Sequence, residues 1–336
     1  MKCTNPIIGI PEFINQATGK THYHIASMAK TIHGYRTFED WKNHFCKVHP
    51  GVEPIKIPCG RCLACQINKA NDWSNRIMLE KEDHANSYFI TLTYDDDHLV
   101  DHDGNPLKPP ALPSLYKKHL QDFFKRLRSK LDYVGHDKIR YFACGEYGAQ
   151  SQRPHYHAII FGLQLEDLKV YKRSEHGDLY YNSAFIDSCW GFGFCVVAEV
   201  TPESAAYVSR YCTKKLGVAD REVYEKYNLL PEFIVMSRRP GIARNAYDKT
   251  SFDPSVRYNL STRTGGKCFS APRYFKRLYD CDCPDLSALD KLNAKHDAEV
   301  SEHFLNQMYD GFETDHLHSI EEDSEARLKV LRRNKL

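Results

Sequence analysis

Arg153-Pro154-His155-Tyr156-His157-Ala158-Ile159-Ile160-Phe161 is the stretch whose reading decides the fold. Its apolar, β-branched run predicts a strand. Alternate side chains of a strand share a face, so His155 and His157 converge while Tyr156 points the other way. Two imidazoles on one face are half of a metal site. The spacing alone is weak, because the chain has 17 histidines and also carries His22/His24 and His316/His318. Only the middle pair is continued by an apolar run that would anchor it in a sheet.

Upstream lies a second short run, Ile139-Arg140-Tyr141-Phe142-Ala143-Cys144, followed by Gly145-Glu146-Tyr147-Gly148. Glycines and Pro154 between the runs suit a strand–loop–strand unit. If the strands pair antiparallel, Glu146 returns beside the imidazoles. Glu146, His155 and His157 would then form a three-ligand site with open positions.

Further out, Tyr88-Phe89-Ile90-Thr91-Leu92-Thr93-Tyr94 reads as a strand ending at Asp95-Asp96-Asp97, and Phe194–Val200 as another. A helix is predicted over 64–85. Residues 101–113, with four prolines and Gly104, form a loop. Ser114 is a plausible N-cap for a helix at 115–132, where Leu120, Phe123, Phe124, Leu127 and Leu131 share one face. Lys117, Lys118, Lys125, Arg126, Arg128 and Lys130 cover the rest, a surface suited to solvent or to phosphates. Thr201 caps a last helix with Pro202 at its first position and Gly217 where a C-terminal glycine belongs. The element order implies an α+β fold, an antiparallel sheet of about five strands covered by helices.

On that last helix Tyr207, Tyr211 and Lys214 fall at i, i+4 and i+7, one stripe, while Ala205, Val208, Cys212 and Leu216 form an apolar stripe elsewhere. A lone Tyr-x3-Tyr pair is expected by chance in a chain with 21 tyrosines. Together with a metal site it implies one reaction. A phenol attacks phosphorus once its proton is lost, and a nearby cation, Lys214 or the metal, lowers the cost of the phenolate. The product is a phosphotyrosine ester beside a free 3′-hydroxyl. The ester preserves the phosphodiester energy, so strands can be rejoined, and two tyrosines allow two successive transfers.

The composition is globular, 42% hydrophobic and 27% charged over 336 residues. No apolar run is long enough for a membrane helix, and no apolar stretch follows the first residues as in a secretory signal. The net charge of +2 hides an asymmetry. Residues 285–325 hold twelve acids and two lysines, −10, so the remainder carries +12. A basic body suggests a polyanionic partner; an acidic solvated tail is the plainer reading.

Cys59-Gly60-Arg61-Cys62-Leu63-Ala64-Cys65 sets three thiols at the x2 spacing of a zinc knuckle. Cys3 is the preferred fourth ligand, with Cys46 and His49 as alternatives. Four thiolates would leave no open position, so this zinc is expected to be structural. Arg61, with Lys69, Trp73 and Arg76, stands near enough in sequence to help grip DNA.

The Tyr88–Tyr94 strand, the His155/His157 strand and the Tyr207/Tyr211/Lys214 helix occur in the order of the three motifs of the HUH (His–hydrophobic–His) endonucleases of rolling-circle replication, which they resemble. More closely, Pro58-Cys59-Gly60-Arg61-Cys62, Phe89–Tyr94, Gly145–Gly148, Ser204-Ala205-Ala206-Tyr207-Val208 and Met236-Ser237-Arg238-Arg239-Pro240-Gly241 resemble the replication initiation proteins of gokushovirus-type microviruses, over about residues 55–275. The resemblance implies nicking of single-stranded DNA at a viral origin, attachment to the 5′ phosphate and priming from the 3′-hydroxyl. It implies Mg2+ or Mn2+ at Glu146, His155 and His157, and a nucleophile at Tyr207 or Tyr211. The chain lacks a phosphate-binding G-x4-G-K-[ST] loop, so the helicase, like the DNA polymerase, is expected from the host, with action in the bacterial cytoplasm. Expected DNA contacts are Arg61, Lys125, Arg126, Arg153, Arg210, Arg238 and Arg239. The expected divisions are a zinc-knuckle segment and helix at 1–85, a nuclease core at 86–220, a basic extension at 221–283 and an acidic, then basic, helical tail at 284–336.

Two other functions fit parts of the pattern. Two histidines and a carboxylate also serve metal-dependent hydrolases and non-haem iron oxygenases, which need no tyrosine. A non-catalytic zinc-containing DNA-binding protein would be indifferent to His157.

Overall fold

A computed structural model of the protein describes residues 2–17, 19–148, 151–174, 177–210, 218–249, 252–262, 265–308 and 311–333. It comprises two compact units, one of residues 1–69 with 282–336 and the other of residues 70–281. Compactness thus divides the chain at 69/70 and 281/282, whereas the motifs divide it at 85/86, 220/221 and 283/284.

The first unit begins with β1 (Ile7–Ile14), β2 (Thr21–Ser27), α1 (Met28–Thr31), α2 (Phe38–Val48) and β3 (Ile55–Ile57), and α3 (Leu63–Glu82) runs from it into the second. Its three strands pair antiparallel in the order β2-β1-β3. Ile8, Met28, Ile32, Phe38 and Trp41 form its core. Thr37 caps α2 reciprocally with Asp40, the capping box that fixes where that helix starts.

The second unit continues with β4 (Ser87–Tyr94), α4 (Lys117–Tyr133), β5 (Arg140–Tyr147), β6 (Pro154–Phe161), β7 (Lys169–Arg173), β8 (Leu179–Asn182), α5 (Ala184–Trp190), β9 (Gly193–Glu199), α6 (Pro202–Arg210), α7 (Val218–Lys226), β10 (Phe233–Met236), α8 (Arg244–Asp248), β11 (Arg257–Thr262), β12 (Gly265–Ser270) and α9 (Arg273–Asp282). The chain then returns to the first unit with α10 (Pro284–Met308) and α11 (Glu313–Arg333). There Leu317 joins the core, and the buried Glu313 carboxylate accepts from the Phe38 N–H and from Lys56 Nζ at 2.9 and 2.8 Å.

The central sheet has seven strands in the order β10-β5-β6-β4-β9-β8-β7, all antiparallel. About five were expected from the sequence. The additional strands β7, β8 and β10 are only four or five residues long, too short for an alternation to stand out. The two faces differ, as the period-2 reading requires. Ile90, Leu92, Ala143, Tyr156, Ala158, Ile160, Cys195 and Val197 face α4 and α5, where Leu120, Phe123, Phe124, Leu127 and Leu131 complete the main core. Gly145 permits this packing, since a Cβ there would lie 2.9 Å from Leu115 and 3.1 Å from Tyr156. The opposite face carries Phe142, which meets Trp73 of α3, and His157, which meets Tyr207 of α6.

Ser114 does not cap α4. That role falls to Tyr116, without a side-chain bond, and the buried Ser114 hydroxyl instead accepts from the Leu230 N–H. Thr201 does cap α6, accepting from the Ser204 N–H at 3.2 Å. Among the described residues no helix is long and apolar enough to cross a membrane.

Candidate functional site

The register of three adjacent strands builds the site. Glu146 on β5 lies opposite His155 on β6, and His155 opposite Thr93 on β4; one pair further along, Cys144, His157 and Thr91 are aligned. The Glu146, His155 and His157 ligand atoms all lie within 4.8 Å of one another. Glu146 is 3% exposed, and its Oε1 accepts from Nε2 of His155 and of His157, each at 2.7 Å. The Tyr207 hydroxyl, delivered by α6, donates to the same oxygen at 2.6 Å.

Each imidazole is also held from behind. His155 Nδ1 lies 3.1 Å from the Arg153 carbonyl, and His157 Nδ1 lies 3.0 Å from the Thr91 hydroxyl. Such contacts fix ring orientation and leave Nε2 as the atom aimed into the site. Phe89 stacks on the His157 ring at 5.3 Å, and the Tyr207 ring meets it edge-on at 5.1 Å. Thr91 and Phe89 escaped the sequence reading as site residues. Their signal was present, because both point to the His157 face once β4 is placed beside β6.

The charges follow from this geometry. Burial raises the Glu146 carboxyl, but the hydrogen bonds from His155, His157 and Tyr207 outweigh it and hold it down at about 2. Burial lowers His155, and the Glu146 carboxylate outweighs that and raises it. For the more deeply buried His157 burial wins and the ring is lowered. Burial, then the Glu146 contact, raises the Tyr207 phenol above its ordinary value.

The donor set fits a divalent cation: one carboxylate, two imidazoles of fixed orientation, and an oxygen to spare. Glu146 Oε2 is buried and has no hydrogen-bond partner among the described residues. A carboxylate oxygen left so is costly unless something positive satisfies it.

The other histidine pairs are not built this way. His22 and His24 are exposed on β2 near Glu12, and His316 and His318 lie on α11, where a spacing of two does not share a face.

In the first unit Cys3, Cys59, Cys62 and Cys65 bring four sulfurs within 4.8 Å of one another. Cys46 stands apart, its thiol donating to the Val52 carbonyl, and His49 packs on Phe45.

Of the residues expected to touch DNA, Arg61, Lys125, Arg210, Arg238 and Arg239 are exposed. Arg210 lies over the Tyr207 ring at 5.3 Å, and Lys125 is 3.4 Å from Asp122. Arg126 and Arg153 are engaged within the fold. Arg126 donates to the Cys189 and Trp190 carbonyls at the end of α5, and Arg153 donates to the Tyr94 carbonyl and pairs with Asp96. Arg76 is buried between Trp73 and Tyr274 and donates to the Ile242 carbonyl, so Trp73 and Arg76 form a structural stack. Tyr211, Lys214 and the expected helix-ending Gly217 lie outside the described residues.

Comparison with known proteins adds the family. The family model described as replication-associated protein ORF2 matches residues 87–216, the stretch that holds β4–β6 and α6. Replication-associated protein ORF2 of Spiroplasma virus 4 is 36% identical over 242 residues, 72% of this chain and 73% of its own length. This chain belongs to the microvirus replication-associated proteins. Replication-associated protein VP4 of Bdellovibrio phage phiMH2K is 28% identical over 76% of this chain and 78% of its own length. Replication-associated protein ORF4 of Chlamydia phage 1 is 31% identical over 66% of this chain and 53% of its own. No solved structure matches this microvirus replication-associated protein.

Proposed function

We propose that this replication-associated protein is a rolling-circle initiator of the HUH class, a nicking–joining enzyme acting on single-stranded DNA at the viral origin. One observation carries the reading: the Tyr207 hydroxyl stands 2.6 Å from the same carboxylate oxygen that both imidazoles reach. A hydrolase or oxygenase would have no use for a phenol there.

Attack by Tyr207 Oη on the scissile phosphorus forms the O–P bond and breaks the P–O3′ bond. The products are a 5′-phosphotyrosine and a 3′-hydroxyl, which takes up a proton and primes synthesis; the reverse step rejoins the strand. Glu146, His155 and His157 would hold Mg2+ or Mn2+. Bound there, the cation supplies the positive charge that lowers the cost of the phenolate and stabilises the transferring phosphate. The chain's own residues do the rest. Arg153 and Thr91 hold the rings, Glu146 Oε1 receives the hydrogen bond from the attacking hydroxyl, and α6 fixes the phenol beside the sheet. Without the cation the raised Tyr207 phenol is a poor nucleophile. Tyr211 is the candidate for a second transfer, Lys214 for a supporting cation, and the exposed Arg61, Lys125, Arg210, Arg238 and Arg239 for backbone contacts. Helicase and polymerase would come from the host, in whose cytoplasm the reaction would run.

The test is a nicking assay on a single-stranded origin oligonucleotide with Mn2+. Wild-type protein cuts, while Tyr207→Phe and His157→Ala do not. Cutting that persists undiminished in Tyr207→Phe, with release of an unattached 5′ phosphate, contradicts the proposal and favours a hydrolase.

A further inference from the structure

The geometry points to a structural zinc ion bound by Cys3, Cys59, Cys62 and Cys65, a site separate from the proposed catalytic one. A tetrahedral zinc with Zn–S near 2.3 Å sets its sulfurs about 3.8 Å apart. Cys3 Sγ lies 3.6 Å from Cys59 Sγ and 3.7 Å from Cys62 Sγ. A disulfide needs about 2.05 Å, and all four cysteines are free.

The backbone around the sulfurs is arranged for negative charge. The Arg61 and Cys62 N–H groups donate to Cys59 Sγ at 3.4 and 3.2 Å, and the Cys59 N–H donates to Cys3 Sγ at 3.3 Å. Amides aimed at thiolates are favourable; aimed at buried neutral thiols they gain much less. The turn that presents them needs Gly60, whose φ of +72° is left-handed. Cys65 lies in the first turn of α3, where the helix dipole also favours a thiolate.

Four thiolates with no open position suit zinc, and the site joins sequence that is otherwise far apart. Cys3 precedes β1, Cys59 follows β3, and Cys62 and Cys65 flank the start of α3. One ion therefore ties the N-terminus to the entry of α3 in a unit with a small core.

Metal analysis of the full chain should find about one equivalent of zinc, retained when Glu146→Gln and His157→Ala disable the other cluster. Cobalt replacement should give the absorption of a tetrahedral tetrathiolate. Cys3→Ser and Cys62→Ser should lose both signals, while Cys46→Ser, outside the cluster, keeps them. Because the serine variants could fail to fold, the wild-type cobalt spectrum decides independently. Iron in place of zinc, disulfides among the four residues, or a folded wild-type chain with four titratable thiols and no metal overturns the assignment.

The sheet register carries a second inference. Glu146, His155, Thr93 and Phe194 form one row of direct partners across β5, β6, β4 and β9, all on the site's face. Phe194 stands two strands from His155, about 10 Å away at the usual strand spacing. It is 52% exposed, whereas Ala198 on the same face of β9 is buried. Tyr180, the partner of Ala198, and Lys172, the partner of Tyr180, continue this face outward, with Lys172 Nζ 5.1 Å from the Tyr180 ring.

We infer that Phe194 is a stacking platform for a base of the single strand next to the scissile phosphate. The inference rests on the nicking reading. Its occupant follows from continuity: an open aromatic in line with the site, leading to a cation over a second aromatic. Anisotropy with a labelled single strand and no divalent metal separates binding from cutting. Phe194→Ala should weaken binding about 5- to 150-fold. Phe194→Trp should restore it, with the new indole's fluorescence quenched by single-stranded and not by duplex DNA. Unchanged affinity in Phe194→Ala, with adduct formation intact in wild type, overturns the stacking inference alone. Weakened binding in Phe194→Ala without any wild-type adduct overturns the nicking reading and leaves the platform standing. A wild-type protein that binds no single strand overturns both.

Discussion

Replacing Glu80 with leucine should destabilise the second unit strongly. Glu80 on α3 is 1% exposed, accepts from Arg140 Nε and from the Ala243 N–H at 2.5 Å, and lies 3.4 Å from His84 Nε2. Arg140 donates onward to the Pro240 and Gly241 carbonyls at 2.9 and 3.1 Å. The cluster therefore pins the turn that presents Arg238 and Arg239. In Glu80→Leu the Ala243 amide loses its partner, which costs about 1–3 kcal/mol. The guanidinium, only 15% exposed, loses its counter-charge, and breaking a buried pair costs about 3–5 kcal/mol. Arg140 keeps two carbonyl acceptors, so the lower part of the combined range applies, about 3–5 kcal/mol in all. The pH dependence has a definite sign. Burial raises the Glu80 carboxyl, but His84, Arg140 and the Ala243 amide outweigh it and hold it below the ordinary glutamate value. A depressed acid stabilises the fold above its unfolded pKa, and that contribution fades as pH falls through the folded pKa. Urea unfolding of wild type and variant at neutral pH, then in acid, should show a gap that narrows on acidification. A neutral-pH gap within about 0.5 kcal/mol, the range of surface substitutions, refutes the reasoning.

Tyr207→Phe removes one of three donors to Glu146 Oε1 and should lower stability by less than about 2 kcal/mol in thermal unfolding, since the two imidazoles remain; outright unfolding would contradict a reactive rather than structural phenol. Thr91→Val frees His157 Nδ1 and should weaken Mn2+ binding about 10- to 100-fold by calorimetry; unchanged affinity would deny Thr91 an orienting role. Lys125→Ala should reduce the salt slope of single-strand binding by about 0.7, the value of one phosphate contact. Arg126→Ala, by contrast, should cost about 1–3 kcal/mol of stability at the end of α5 and leave that slope alone, and the reverse pattern would reverse their roles.

The site was more legible than the sheet. His155, His157 and Glu146 could be brought together from period-2 alternation and one antiparallel turn, because those rules are local. β10 was not legible: four residues paired to β5 from about 90 positions away carry no pattern of their own. The cysteine turn declared itself through spacing, and Cys3 rather than Cys46 or His49 is the residue that the fold brings to it. The arginines were the least legible. Sequence identifies a cation but not its partner, and Arg126 and Arg153 spend their donors on backbone carbonyls that only the tertiary fold supplies. Thr91, Phe89 and Phe194 depended on strand order, which a single chain without pairing information does not reveal.

The most direct test of the central claim is to map the covalent bond. Wild-type protein is incubated with Mn2+ and an origin single strand, denatured, digested with protease and nuclease, and the nucleotide-bearing peptide is sequenced by mass spectrometry. The account predicts a 5′-phosphate on Tyr207. Attachment confined to a residue with no access to Glu146, His155 and His157, or an origin cut with no attached peptide at all, would contradict it.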